Sequence, residues 1–250
     1  MTFGKSFLFV HREAFAFMLA CPFIALIPIL AELLQHYVEM GIGMYDGIEG
    51  AKAAEANASR MQFGMLKVAA LSVMSYPVIR FVAGNRNAAA ARSLEPRALK
   101  LFSGVLAISL GTAALDLFVL RSYPVASLSL FAASLVFGPL LLRWYAGAPL
   151  GVWISPLQST REMLPVWLWA FGLTFMAMLP LMIMHYALST WAIFADAWLK
   201  WPVLIADSLV VGLLCAVMAG TEWVAANRPG PLLQKSPNSR LPEAQSQGAG

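Results

Sequence analysis

Five ionisable side chains interrupt otherwise apolar stretches of the sequence and are the residues best suited to chemistry: Glu32, His36, Lys67, Asp116 and Asp207. Charged groups are costly at membrane depth, so they are rare there and often mark ion or proton pathways. Glu32 and His36 are four residues apart and therefore share one helical face. Carboxylates combined with a lysine and a histidine are a set that a proton-coupled transporter or an ion site can use.

The same five residues also have a plain structural interpretation. Each lies close enough to a helix end to extend its charge toward the surface or to pair with a neighbour, as Lys67 would with a carboxylate. Asp116 and Asp207 resist this interpretation best because the aspartate side chain is short. In the functional interpretation the five residues are a candidate intramembrane polar cluster near the outer ends of their helices.

The elements that position this cluster are predicted to be membrane-spanning helices. The chain has 250 residues, of which 60% are apolar and 12% charged, and its mean hydropathy is +0.70. Residues 101–142 hold only Asp116 and Arg121 as charges and are long enough to cross a bilayer core of about 30 Å twice. The predicted fold is therefore all-α, a polytopic transmembrane helix bundle with six spans. They are placed at residues 14–38, 62–83, 101–120, 124–142, 165–186 and 202–224, and Pro22 and Pro28 are expected to bend the first.

The distribution of Lys and Arg predicts the orientation of these spans. The basic residues of the segment 80–100 are Arg80, Arg86, Arg92, Arg97 and Lys100, against the single acid Glu95. By the positive-inside rule this loop faces the cytoplasm, which places both termini there. Residues 1–13 then form a cytoplasmic N-terminal segment and 14–224 the transmembrane domain. Residues 225–250 are rich in Pro, Gly, Ser and Gln, which predicts a disordered cytoplasmic tail.

Small residues at intervals of four predict where helices approach closely. Ser208, Gly212, Ala216 and Gly220 form such a seam on the sixth span, and Ser103, Ala107 and Gly111 form one on the third. If the two seams meet, Asp116 and Asp207 come near each other at the outer end of the bundle.

Other classes of site find no support in the sequence. Phosphate-binding loops, zinc-protease motifs, nucleophile elbows and calcium loops are all missing. His11, His36 and His185 are predicted to lie on two sides of the membrane and so not to form one metal site, and Cys21 and Cys215 are expected to be packing residues. We therefore predict no catalytic residue, cofactor or metal, and no nucleic-acid partner, because the positive charges are loop charges. The predicted partners are the lipid bilayer and other membrane subunits.

The layout of the chain resembles the YciC-like group of bacterial inner-membrane proteins and the membrane domain attached to some glycerophosphodiester phosphodiesterases. The resemblance rests on six spans, the basic loop after the second, the connector Arg-Trp-Tyr-Ala-Gly-Ala-Pro at 143–149, and Ser159 to Pro165 before the fifth. It implies a multi-pass protein of the bacterial inner membrane. The chain has no soluble phosphodiesterase barrel, so the resemblance brings no catalytic residues.

Two leading functional hypotheses follow, and a third, a membrane-embedded lipid enzyme, ranks last because the sequence shows no nucleophile or metal set. The first is a non-catalytic membrane protein that acts as a scaffold or accessory subunit. The alternative is a small-solute or proton-coupled transporter that uses Asp116, Asp207 and Glu32. The sequence shows no convincing repeat of its first three spans in its last three, a feature of many transporters. The substrate is unknown on either hypothesis.

Overall fold

The computed structural model describes residues 1–233, and this part of the chain contains helices and no strands. Its α-helices are α1 (Phe3–Ala20), α2 (Pro22–Gly41), α3 (Gly47–Ala54), α4 (Ala58–Val73), α5 (Ser75–Ala83), α6 (Ala88–Arg92), α7 (Pro96–Ala114), α8 (Pro124–Phe137), α9 (Leu142–Gly147), α10 (Pro156–Met163), α11 (Trp167–Phe194) and α12 (Ala197–Ala226). A π-helical turn, Leu115–Val119, continues α7.

Six helical segments are long and apolar enough to cross a membrane, which confirms the predicted fold class. They are Pro22–Gly41, Ala58–Ala83, Pro96–Ser122, Pro124–Leu150, Pro156–Phe194 and Ala197–Ala226. The central element is α12, which packs against α1, α2, α5, α9 and α11. The last two spans are longer than predicted, because α11 continues to Phe194 and α12 begins at Ala197.

The first span differs from the predicted segment 14–38. The chain breaks at Cys21, so residues 14–20 belong to α1 and the apolar span is α2. Pro22 explains the break, because proline lacks the backbone N–H that would continue α1 but fits the first position of a new helix. Pro28 lies inside α2 without ending it. Although α1 is not one of the six apolar spans, its Val10 and Phe17 are fully buried in the core.

The predicted disordered tail, residues 225–250, includes residues at its start that are folded. Residues 225 and 226 still belong to α12, and the segment after it folds back on the bundle. Arg143 donates hydrogen bonds to the carbonyl oxygens of Ala226 (2.8 Å) and Gly230 (2.7 Å), and Leu232 is buried. These contacts give the segment up to residue 233 a defined place. The rest of the predicted tail, 234–250, lies outside the described residues.

The two predicted seams do not meet. On α12 the seam is buried, and Gly212 packs so closely on α2 that a β-carbon there would lie 2.5 Å from Cγ1 of Ile29. On α7, by contrast, Ser103, Ala107 and Gly111 are exposed, and a β-carbon at Gly111 would meet no atom within 4 Å. The α12 seam therefore stabilises the fold of this chain, while the α7 seam remains open to the surroundings.

Replacing Gly212 with leucine is expected to lower the stability of the bundle by more than the roughly 1–3 kcal/mol typical of overpacking, because even the β-carbon requires Ile29 to move. Gly111→Leu is the matched control, with the same substitution on an open helical face. Thermal unfolding of the purified protein in detergent measures the difference. Equal unfolding temperatures for the two variants would contradict the close contact of α12 with α2.

Candidate cation site

A group of buried charged residues lies between α2, α4, α11 and α12, and α2 supplies most of it. Glu32, His36 and Glu39 follow each other at intervals of four and three residues, so they share one face of α2. All three are buried, with at most 2% of their surface exposed. Glu32 lies ten residues after Pro22 and nine before Gly41, which at 1.5 Å per residue is about 14 Å from either end of the helix.

Asp207 on α12 joins this face of α2 to α11. Its side chain is completely buried, and Oδ2 lies 3.0 Å from Nε2 of His36 while Oδ1 lies 2.8 Å from Nδ1 of His185. Ser189 donates a further hydrogen bond to Oδ2, at 3.2 Å. An ionised carboxylate only accepts hydrogen bonds, so both imidazole rings direct an N–H at Asp207. One aspartate thereby fixes the orientation of two histidines from different helices.

Lys67 on α4 pairs with Glu32. Its ammonium lies 3.3 Å from Oε1 and 3.1 Å from Oε2, and Glu32 Oε1 also lies 3.5 Å from Nε2 of His36. The structural interpretation of Lys67, that it pairs with a carboxylate, is therefore confirmed. The pair nevertheless belongs to the same buried group as Asp207, because His36 contacts both acids.

A second part of the group lies nearer the end of α2. Glu39 Oε1 accepts hydrogen bonds from Arg60 Nε and Gln35 Nε2, both at 2.9 Å, and Oε2 accepts one from the Tyr45 hydroxyl at 2.8 Å. The same hydroxyl lies 2.8 Å from Nδ1 of His36. Burial, together with the neighbouring Glu39 carboxylate, raises the pKa of Tyr45, so the hydroxyl keeps its proton at neutral pH. Tyr45 therefore connects Glu39 with His36.

The balance of charge leaves this group one positive charge short. Three carboxylates, Glu32, Glu39 and Asp207, face two permanent cations, Lys67 and Arg60. An unpaired charge is costly in a buried environment, so a further cation is favoured there. A proton on either histidine or a bound metal ion supplies that charge.

Three side chains are close enough together to share a metal ion. Glu32, His36 and Asp207 each offer one ligand atom, and these atoms lie within 4.8 Å of one another. An imidazole nitrogen with two carboxylate oxygens is a donor set that suits divalent transition metals such as Zn²⁺. A metal at this trio would compete with the Lys67 ammonium for Glu32.

Asp116 lies apart from this group, although the sequence places it in the same cluster. It is part of the π-helical turn after α7, is half-buried, and accepts a hydrogen bond from Ser127 Oγ at 2.6 Å. Its partner thus comes from α8, within the same hairpin. The structure brings together Glu32, His36, Lys67 and Asp207 and leaves Asp116 outside.

Sequence reasoning missed Glu39, Tyr45, Arg60 and His185. The three histidines were predicted to lie on two sides of the membrane, and the structure brings His36 and His185, the two at the predicted outer helix ends, to the same carboxylate. Glu39 could have been found from its spacing, since it is three residues after His36 on the same helical face. No local signal connects His185 with Asp207, because that contact depends on how α11 packs against α12.

The chain was compared with protein-family models, with curated proteins and with solved structures, and no significant match was found in any of the three. The resemblance to the YciC-like group stays a prediction.

Proposed function

We propose that this protein is a multi-pass membrane transporter that binds a cation at Glu32, His36 and Asp207. One observation carries the proposal: a completely buried carboxylate, Asp207, holds ligand atoms of His36 and Glu32 within 4.8 Å of its own. Buried ionisable residues inside spans are costly and typically serve ion pathways. A static support for other subunits needs no such group, so the transporter takes precedence over the scaffold. The protein is non-catalytic in this proposal.

The membrane is proposed to be the bacterial inner membrane, with both termini in the cytoplasm. The basic loop and the Arg143 connector support this orientation, because both lie at the end of the bundle where α12 finishes. Labelling of a single cysteine introduced at Arg92, using a reagent that does not cross membranes, tests it in whole cells. Labelling of this cysteine from outside the cell would contradict the proposed orientation.

The accessory-subunit hypothesis keeps one observation in its favour. The hairpin formed by α7 and α8 contacts the rest of the bundle little, α8 has no buried residue in the described part of the chain, and the α7 seam is exposed. An open seam of small residues suits a helix of another membrane subunit. Gly111→Leu would weaken such an association without changing cation uptake, which separates the two functions.

The full-length protein in sealed liposomes tests the transport proposal directly. We expect uptake of Zn²⁺ or another divalent transition metal, followed with a trapped metal-sensitive dye, to exceed that of protein-free liposomes at least about tenfold. A trapped pH dye measures proton transport in the same vesicles, alongside metal uptake. Uptake no faster than in empty liposomes, for both metals and protons, would overturn the proposal.

A further inference from the structure

An apolar groove opens between α2, α5 and the first turns of α7, at the end of the bundle opposite Tyr45. Its volume is about 580 Å³. The lining is almost entirely apolar, and its principal side chains are Ile24, Ile27, Tyr76, Leu99, Phe102 and Leu106. Ile27 and Leu99 are also exposed on the outer surface, so the groove faces the lipid rather than the buried cation site.

Two cationic side chains, Arg92 and Lys100, line the same groove. Both are exposed, and the Lys100 side chain forms no hydrogen bond or ion pair with any residue in the range 1–233. Arg92 donates a long hydrogen bond, 3.3 Å, to the carbonyl oxygen of Ala20 and also lies beside the Cys21 thiol. Both groups therefore have donors available for a ligand.

Two neighbouring arginines, Arg80 and Arg86, are already engaged within the protein. Arg86 donates hydrogen bonds of 2.9 and 2.8 Å to the two carboxylate oxygens of Glu13, which fixes α1 against the loop after α5. Arg80 donates to the carbonyl oxygens of Ala90 and Pro149, both at 3.0 Å. Two arginines of the basic loop are thus engaged within the protein, while Arg92 and Lys100 lie beside the groove with donors available. Arg97 is also exposed but lies outside the groove.

We propose that this groove binds one anionic phospholipid from the surrounding bilayer. The phosphate pairs with Arg92 and Lys100, and an acyl chain lies along the apolar lining toward Leu106. The distance fits this arrangement, because Lys100 and Leu106 are six residues apart on α7 and so separated by about 9 Å along the helix axis. Arginine and lysine are suited to phosphate, and cationic residues at the membrane surface favour anionic headgroups.

Native mass spectrometry of the full-length protein in detergent tests the proposal, with phosphatidylglycerol and phosphatidylcholine of identical acyl chains as probes. We expect one phosphatidylglycerol to remain bound and to outcompete phosphatidylcholine. Arg92→Gln combined with Lys100→Gln should weaken its binding about thirtyfold, since both headgroup contacts are lost. Ser103→Trp, which fills the groove without changing charge, should weaken binding of both lipids.

Arg97→Gln combined with Arg161→Gln is the matched control. Both arginines are exposed and lie outside the groove, and the two substitutions remove the same amount of positive charge. An equal loss of phosphatidylglycerol binding in this control would mean that the lipid is held only by diffuse electrostatic attraction, and it would overturn the proposal. Equal retention of phosphatidylglycerol and phosphatidylcholine would also overturn it. Displacement of the lipid by millimolar inorganic phosphate would show a simple anion site instead. Thermal unfolding of each variant verifies that the bundle is intact. A negative result would leave the transport proposal untouched, because no groove residue belongs to the cation site.

Discussion

Asp207→Asn is expected to abolish cation uptake while the protein still inserts and folds. The amide has nearly the same shape as the carboxylate, and it can hydrogen-bond to His36 with one atom and to His185 with the other after a change of histidine tautomer. It carries no charge, however, so the trio loses a metal ligand and the buried group loses the negative charge that attracts the cation. Loss of residues that merely orient metal ligands costs about 10–100-fold in affinity, and loss of a ligand should cost at least about 100-fold.

Asp116→Asn is the control for this experiment. From the sequence alone the two aspartates are equivalent, since both are short acids within predicted spans, yet only Asp207 contacts the buried group. We expect metal uptake and metal affinity, measured by titration calorimetry, to match the unmodified protein in Asp116→Asn. Normal uptake in Asp207→Asn would remove the transport proposal. A loss in both variants, with intact insertion, would show that the hairpin also takes part in transport.

The fold class was predictable because it depends on local composition. A run of about twenty apolar residues can satisfy its backbone in lipid only as a helix, so the six spans follow from the sequence without knowledge of their packing. The exact ends of the spans were harder to predict. Pro22 was expected to bend the first span, but its position one residue after Cys21 separates two helices instead. The difference matters because α1 then contributes Val10 and Phe17 to the core.

The candidate site was predictable only where helical spacing determines it. The pairing of Glu32 with His36 on one face follows from their interval of four residues. The contacts of Asp207 with His185 and of Glu32 with Lys67 join different spans, 22 and 35 residues apart, and they depend on the order of helices in the bundle. The same limitation explains the error over Asp116, because the predicted approach of the α7 and α12 seams is a statement about helix order.

Glu32→Gln is expected to destabilise the protein by up to about 3 kcal/mol, because the Lys67 ammonium loses its direct anionic partner, a loss that outweighs the gain from removing the excess negative charge of the group. Glu32 is 1% exposed and the Lys67 side chain 20%, so water compensates only part of the loss. Adding Lys67→Met removes the unpaired charge and should recover most of the stability. The free energy of unfolding of each variant in mixed micelles gives the coupling energy of this double-mutant cycle. That energy measures the interaction between Glu32 and Lys67 in the folded protein.

The chain supplies its own reference for this cycle in the pair formed by Glu49 and Lys52. Their ammonium and carboxylate are also close, at 3.0 Å, but the side chains are 86% and 67% exposed. The cycle built from Glu49→Gln and Lys52→Met should therefore give a coupling energy of only about 0.2–1 kcal/mol. A similarly small value for Glu32 and Lys67 would mean that water reaches the pair. The argument that the buried group is short of positive charge would then lose its basis, because solvent rather than a bound cation would balance the third carboxylate.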